Sequence, residues 1–156
     1  MKRTEITKQL SLLTEEYIAP YRDTRIYWAS EVTFDYGSLN QIRVDYMRFK
    51  PKNNTVSGIE KGDFYCFEIK SCVEDFNSKN GHNFIGDYNY YVMTLDTYKV
   101  IADKIPWHVG VLVPDDSIGG NLKVVKKTHR VDRKRSIQEM LLMMFRSANR
   151  DRRIDT

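Results

Sequence analysis

Two cysteines in 156 residues are too few for a disulfide scaffold, and Cys66 and Cys72 have neither a C-x-x-C spacing nor a second pair to complete a zinc site. Both read as reduced thiols. The three histidines, His82, His108 and His129, are scattered without metal-ligand spacing. No apolar run approaches the roughly 18 residues needed to cross a bilayer. The opening MKRTEITKQL lacks the continuous apolar stretch of a signal peptide, so the expected location is cytoplasmic. Internal repeats, linkers and low-complexity segments are missing as well, which leaves residues 1–156 to be read as a single domain.

What is present suits a folded core. Hydrophobic residues make up 41% and charged residues 29%, at a length that buries a core without covalent staples. The net charge of +4 is compatible with a nucleic-acid partner without requiring one. Its distribution is more pointed. Lys123, Lys126, Lys127, Arg130, Arg133, Lys134 and Arg135 crowd one stretch, and Arg146, Arg150, Arg152 and Arg153 close the chain. A solvated helix start and a charged tail account for such runs equally well.

Ile6, Leu10, Leu13 and Tyr17 recur at helical intervals, with Pro20 placed to stop the helix. Ile26–Phe34 and Ile42–Phe49 are β-branched and aromatic, and the turn-like 35–40 between them predicts a hairpin. After a polar loop over 51–62, Asp63–Lys70 is apolar on both faces until its end, as a central strand is. A short helix over 73–80 ended by Gly81, a strand over 88–95 and a helix capped by Asp96 through Lys104 follow. Strands over 107–113 and 122–127 flank a turn. Ser136 and Glu139 then form a capping box ahead of Ile137, Met140, Leu141, Met144 and Ala148. The expected class is α/β, a central mixed sheet flanked by helices.

In Phe64–Lys70 the side chains alternate, so Glu68 and Lys70 share one face while Phe67 and Ile69 share the other. Charges ending an apolar strand are costly unless paired with each other or with a metal. Asp45, in Arg43-Val44-Asp45-Tyr46-Met47, would stand beside Glu68 if the two strands pair antiparallel. Two carboxylates and an ammonium suit Mg²⁺ and a phosphodiester, because hard cations take carboxylate oxygen, water and phosphate. A structural salt bridge is the plainer alternative. For Asp75 a helix cap or ion pair is the favoured reading, and for His82 a solvated loop. Tyr88, Tyr90 and Tyr91 are candidates for base stacking, although alternation sends at least one of them into the core.

The letters Asp45 and Glu68-Ile69-Lys70, set in successive strands between two helices, resemble the core of the PD-(D/E)xK nuclease superfamily. The likeness is closest to the small DNA-repair proteins of the MmcB-like branch. There a strand with R-x-D leads to one ending E-x-K-S, as Arg43-Val44-Asp45 leads here to Glu68-Ile69-Lys70-Ser71. It runs from about Trp28 to the final helix and takes in Glu31, Asp75-Phe76, Asp87-Tyr88 and the Val113-Pro114 turn. Cys72 departs from it, standing where a second small residue is common.

The resemblance implies a restriction-endonuclease-like fold in which Asp45, Glu68 and the main-chain carbonyl of Ile69 hold Mg²⁺ or Mn²⁺. Lys70 would serve the attacking water, and Glu31 would bind water around the ion or a second metal. On this reading the protein is a metal-dependent nuclease acting on DNA, in repair or processing. Lys126, Lys127, Arg130, Arg133, Lys134 and Arg135 would contact the nucleic-acid backbone, with a homodimer left open. The alternative is a nuclease-like fold without catalysis that binds nucleic acid or a protein, since fold does not fix function.

Overall fold

The computed structural model describes residues 2–117 and 119–154, for 151–154 the backbone alone. Helix α1 (Arg3–Ile18) opens with the Glu5 carboxylate accepting from the Lys2 N–H at 3.2 Å, and Pro20 begins a one-turn 3₁₀ helix that ends its run. Strands β1 (Tyr27–Phe34) and β2 (Ile42–Lys50) form the anticipated hairpin, and β3 (Asp63–Ile69) is buried along almost its whole length.

Several elements differ in detail from the sequence reading. The polar loop contains a short helix, α2 (Val56–Glu60), because the Thr55 hydroxyl accepts from the Gly58 N–H at 3.0 Å. Helix α3 ends at Asn77 rather than at residue 80 (Val73–Asn77), and strand β4 is Tyr88–Val92. Helix α4 (Leu95–Ile101) is capped by Thr94, whose hydroxyl accepts from the Thr97 N–H at 3.2 Å, and Asp96 sits in the first turn. Strand β5 starts at Gly110 (Gly110–Pro114), leaving Trp107 in the turn before it. After β6 (Leu122–Lys126), α5 (Ile137–Ile154) realises half of the capping box. Ser136 Oγ accepts from the Glu139 N–H at 3.2 Å, whereas the Glu139 carboxylate turns to Arg135 at 2.9 Å.

The six strands lie in chain order in one mixed sheet: β1, β2 and β3 antiparallel, β3, β4 and β5 parallel, and β6 antiparallel at the far edge. Period-two alternation sorts the core into faces. Phe67, Ile69, Val92 and Leu112 meet Leu10 and Ile18 of α1 on one side. Phe64, Cys66, Met47 and Val44 meet Met140 and Met144 of α5 on the other. Tyr91, Val111 and Val113 continue that second face toward Phe76 of α3 and Ile101 of α4. The architecture is therefore α/β with helices on both faces, and no helix among the described residues is long and apolar enough to cross a membrane.

Candidate active site

The β2–β3 register pairs Tyr46 with Phe67, so one step further Asp45 stands opposite Glu68. The β1–β2 register pairs Ser30 with Tyr46 and Val32 with Val44, which sets Glu31 opposite Asp45. Glu31, Asp45 and Glu68 thus share one level across adjacent strands. Alternation slips by one in both strands of the β1–β2 hairpin at this level, since Ala29, Val32, Val44 and Met47 all enter the same core cluster. Glu31 takes up the slip with a left-handed backbone, φ +50°. Its carboxylate, more than half exposed, turns toward Arg43 at 4.0 Å and Arg150 at 3.9 Å. Two of the acids are gathered, and the third lies beside them on the surface.

Asp45 Oδ2 accepts the Ile69 N–H at 2.8 Å, which fixes its carboxylate at the end of β3. Burial raises its pKa above the usual range, only partly offset by the Ile69 N–H and Arg43. Glu68 is more extreme. It has no exposed surface, and neither carboxylate oxygen receives a hydrogen bond. Burial and then the charge of Asp45 push its pKa well up, against a smaller pull from Lys70. The two carboxyl groups lie within bonding reach of each other. As carboxylates, however, neither carries the proton such a bond needs.

Lys70 is also buried, and its ammonium donates to the Asn80 carbonyl at 2.7 Å. Burial lowers its pKa despite the acids Asp75, Glu68 and Asp45 nearby. Gly81, at φ +72°, makes room for it: a Cβ there would lie 2.7 Å from Lys70 Nζ and 3.5 Å from Glu68 Oε2.

A cleft of about 1040 Å³ opens over this end of the sheet, with Glu31, Asp45, Ile69 and Lys70 on its surface and Glu68 beneath it. Its walls are the start of α1, the β1–β2 turn, and residues 79–83, which Asn83 Nδ2 ties to the Arg43 carbonyl at 2.9 Å. Arg3, unremarked in the sequence, enters the cleft from α1. It donates to Ser71 Oγ at 3.2 Å and pairs with Asp75 at 3.1 Å. Asp75 in turn accepts from the Ser71 N–H at 2.9 Å, so its role is largely the structural one expected. The described lining carries the cations Arg3, Arg43, Lys70 and Lys79 against the acids Glu31, Asp45 and Asp75.

The remaining candidates sit elsewhere. His82 is held between the Tyr91 hydroxyl at 2.5 Å and the Ser78 carbonyl at 2.8 Å. A carbonyl only accepts, so Nε2 carries the proton and Tyr91 donates to Nδ1. The site is thus a bonded, half-buried one and not a solvated loop. Tyr88 stacks on Tyr65 and Tyr90 on Phe67, with centroids 4.9 and 5.3 Å apart, while Tyr91 is buried. Cross-strand stacking takes up one face each of Tyr88 and Tyr90, and burial removes Tyr91.

The basic stretch runs past the opposite ends of the strands. Arg130 meets Asp63 at 3.0 Å and the Val131 N–H meets the Asp87 carbonyl, both at the start of β3 and β4. Lys70 is seven residues beyond Asp63, roughly 23 Å at 3.3 Å per residue. Lys126 gives its three protons to the carbonyls of Pro106, Trp107 and Val109, at 3.1, 3.0 and 2.5 Å, leaving none for phosphate. Arg133 binds Asp87 and the Gly62 carbonyl, and Arg135 binds Asp35 and Glu139. Lys127 and Lys134 remain exposed. The side chains of Arg152 and Arg153 lie outside the described residues.

No protein-family profile or curated protein matches this sequence, and no solved structure matches this fold.

Proposed function

We propose that the cleft hydrolyses phosphodiester bonds in DNA with a divalent ion, Mg²⁺ or Mn²⁺, held by Asp45 and Glu68. The observation that carries this reading is Glu68, a fully buried carboxylate with both oxygens unbonded, beside a second carboxylate. Two such groups in a low-dielectric setting repel unless a proton or a cation lies between them. The described residues hold no cluster of three His, Cys, Asp or Glu. An ion here would therefore rest on two carboxylates and complete its shell with water and phosphate oxygen, as Mg²⁺ does. The main-chain carbonyl of Ile69 is the third protein donor in this proposal, with Glu31 close enough in the sheet to bind outer-sphere water.

When bound, the ion supplies Lewis-acid polarisation of a phosphoryl oxygen and a more acidic water. The chain's own residues do the rest. The Ile69 N–H fixes the direction of Asp45. Lys70, anchored on the Asn80 carbonyl and lowered in pKa by burial, is set to exchange a proton with the attacking water and to face the charge developing on phosphorus. Arg3 and Lys79 give the walls cationic groups for the flanking phosphates. With its lining near charge balance, the cleft attracts a polyanion once a cation neutralises the acids.

Cleavage of labelled single-stranded, duplex and forked DNA with Mg²⁺ or Mn²⁺, wild type against Lys70→Ala, tests the proposal. Activity present in the first and lost in the second supports it; equal activity in both points to a contaminant. One observation favours a second reading, a nuclease-like fold that only binds. Glu68 does not reach the cleft surface, and its raised pKa makes a neutral acid an alternative to a bound ion. Calorimetry with Mn²⁺ separates the two, since only the first reading gives binding that Glu68→Gln abolishes.

A further inference from the structure

The turn before β5 holds a large aromatic surface out to solvent at the opposite end of the sheet from the cleft. Trp107 is 68% exposed, so both its ring and its edge are open to a partner on the solvent side. Its ring leans on that of His129 at 5.5 Å between centroids and on that of His108 at 5.6 Å.

The platform beneath these rings is firmly held. Lys126 gathers the carbonyls of Pro106, Trp107 and Val109. Thr128 Oγ1 bonds the His108 carbonyl at 3.1 Å, and the His129 N–H bonds that carbonyl at 3.0 Å. A turn tied at four successive residues presents its indole by construction rather than by looseness. By sheet spacings it lies on the order of 15 Å from Glu68, three to four residues back along the strands and two strands across.

The surroundings are cationic. Lys127 and Lys134 are exposed, Lys127 two residues before His129 in the chain and Lys134 near enough for its charge to act on His108. The charges felt by His108 are those of Lys126 and Lys134, and they reinforce the downward pull of its burial.

We infer that Trp107 and His129, flanked by Lys127 and Lys134, form a binding surface for single-stranded nucleic acid that is separate from the cleft. Bases stack on aromatic faces whatever their identity, and lysines answer the phosphates between them. The stacking needs unpaired bases, because a duplex keeps its ring faces stacked inside, whereas the lysine contacts do not distinguish the two. The inference goes beyond the proposed hydrolysis and depends on binding alone, so it stands or falls whether or not the cleft cleaves.

The test is equilibrium binding of the full chain, in chelator, to labelled oligodeoxythymidine and oligouridine of about 16 nucleotides and to a duplex of the same length. In a Trp28→Phe background Trp107 is the remaining tryptophan. Its fluorescence should be quenched on binding, and Trp107→Ala should weaken single-strand affinity about tenfold. Trp107→Phe, which keeps a ring, should retain most of it, and this guards against a folding defect. Lys127→Ala with Lys134→Ala should flatten the salt dependence by about 1.4 in log–log slope. Quenching with either oligonucleotide supports the surface. Unchanged affinity in Trp107→Ala, absence of quenching, or an equal loss on duplex would overturn it.

Discussion

Asp45 faces Glu68 across the β2–β3 pairing, one step past Tyr46–Phe67, and it is Asp45 that accepts the Ile69 N–H, at 2.8 Å. Glu68 is left buried with no hydrogen bond and with a pKa well above that of a free glutamate. Its proton is held more tightly in the folded chain than in the unfolded one. The resulting cost is absent below about pH 4, grows as pH rises through the ordinary carboxyl range, and levels off above the folded value. Glu68→Gln should therefore stabilise the metal-free protein at pH 8 and change its stability by almost nothing at pH 4. Urea denaturation in chelator at the two pH values checks this. An equal gain at both would assign the effect to packing.

Gly81 stands over the same pair. Its φ of +72° already disfavours a side chain, and a Cβ would press on Lys70 Nζ at 2.7 Å. Gly81→Ala should cost about 1–2 kcal/mol in stability from the backbone alone. It should also shift Lys70 off the Asn80 carbonyl, reducing cleavage on the scale of a lost proton-transfer group, at least 10²-fold. Urea denaturation and single-turnover cleavage read the two effects separately. A variant destabilised but fully active would mean that the position of Lys70 is not critical.

Much of this site was legible in the sequence because it lies within regular strands. Alternation alone puts Glu68 and Lys70 on one face, and the hairpin followed by a third strand makes an antiparallel Asp45–Glu68 meeting the simplest arrangement. The slip at Glu31 was not legible, since nothing in Ser30-Glu31-Val32 marks a left-handed residue. Arg3 was missed because it comes to Ser71 and Asp75 through the packing of α1, a contact across 68 residues of chain with no local trace. The basic stretch was misleading in the opposite way. Its charges are conspicuous as letters, yet Lys126, Arg130, Arg133 and Arg135 answer carbonyls and acids of the fold itself.

Arg133 makes that distinction measurable. It pairs at 3.3 Å with Asp87, whose other oxygen accepts the Phe64 N–H at 2.8 Å, and its guanidinium lies over the Phe64 ring. Asp87 is almost wholly buried and would keep only the longer Arg130 contact, at 3.7 Å, while a glutamate at 133 adds a second negative charge beside it. Arg133→Glu should destabilise the fold by about 3–5 kcal/mol. Any loss of nucleic-acid binding in that variant should then track unfolding, seen by circular dichroism, and disappear where the protein remains folded. A folded Arg133→Glu protein with weakened binding would restore Arg133 as a direct contact.

Arg3 offers the cleanest separation of binding from chemistry in the cleft. Its ion pair with Asp75 is largely solvent-exposed on the arginine side, so its loss should change stability by no more than about 1 kcal/mol. Placed at the mouth of the cleft near Lys70, it suits a phosphate on the uncleaved part of the strand more than the reacting one. Such a contact acts equally on substrate and transition state, so its loss raises KM and leaves kcat alone. Arg3→Ala should accordingly weaken substrate binding severalfold at low salt and progressively less as salt rises, with kcat unchanged, whereas Lys70→Ala should lower kcat. Steady-state kinetics at two ionic strengths decide it. If Arg3→Ala lowers kcat with KM unaltered, the guanidinium acts on the reacting phosphate itself, and the division of labour between α1 and β3 must be redrawn.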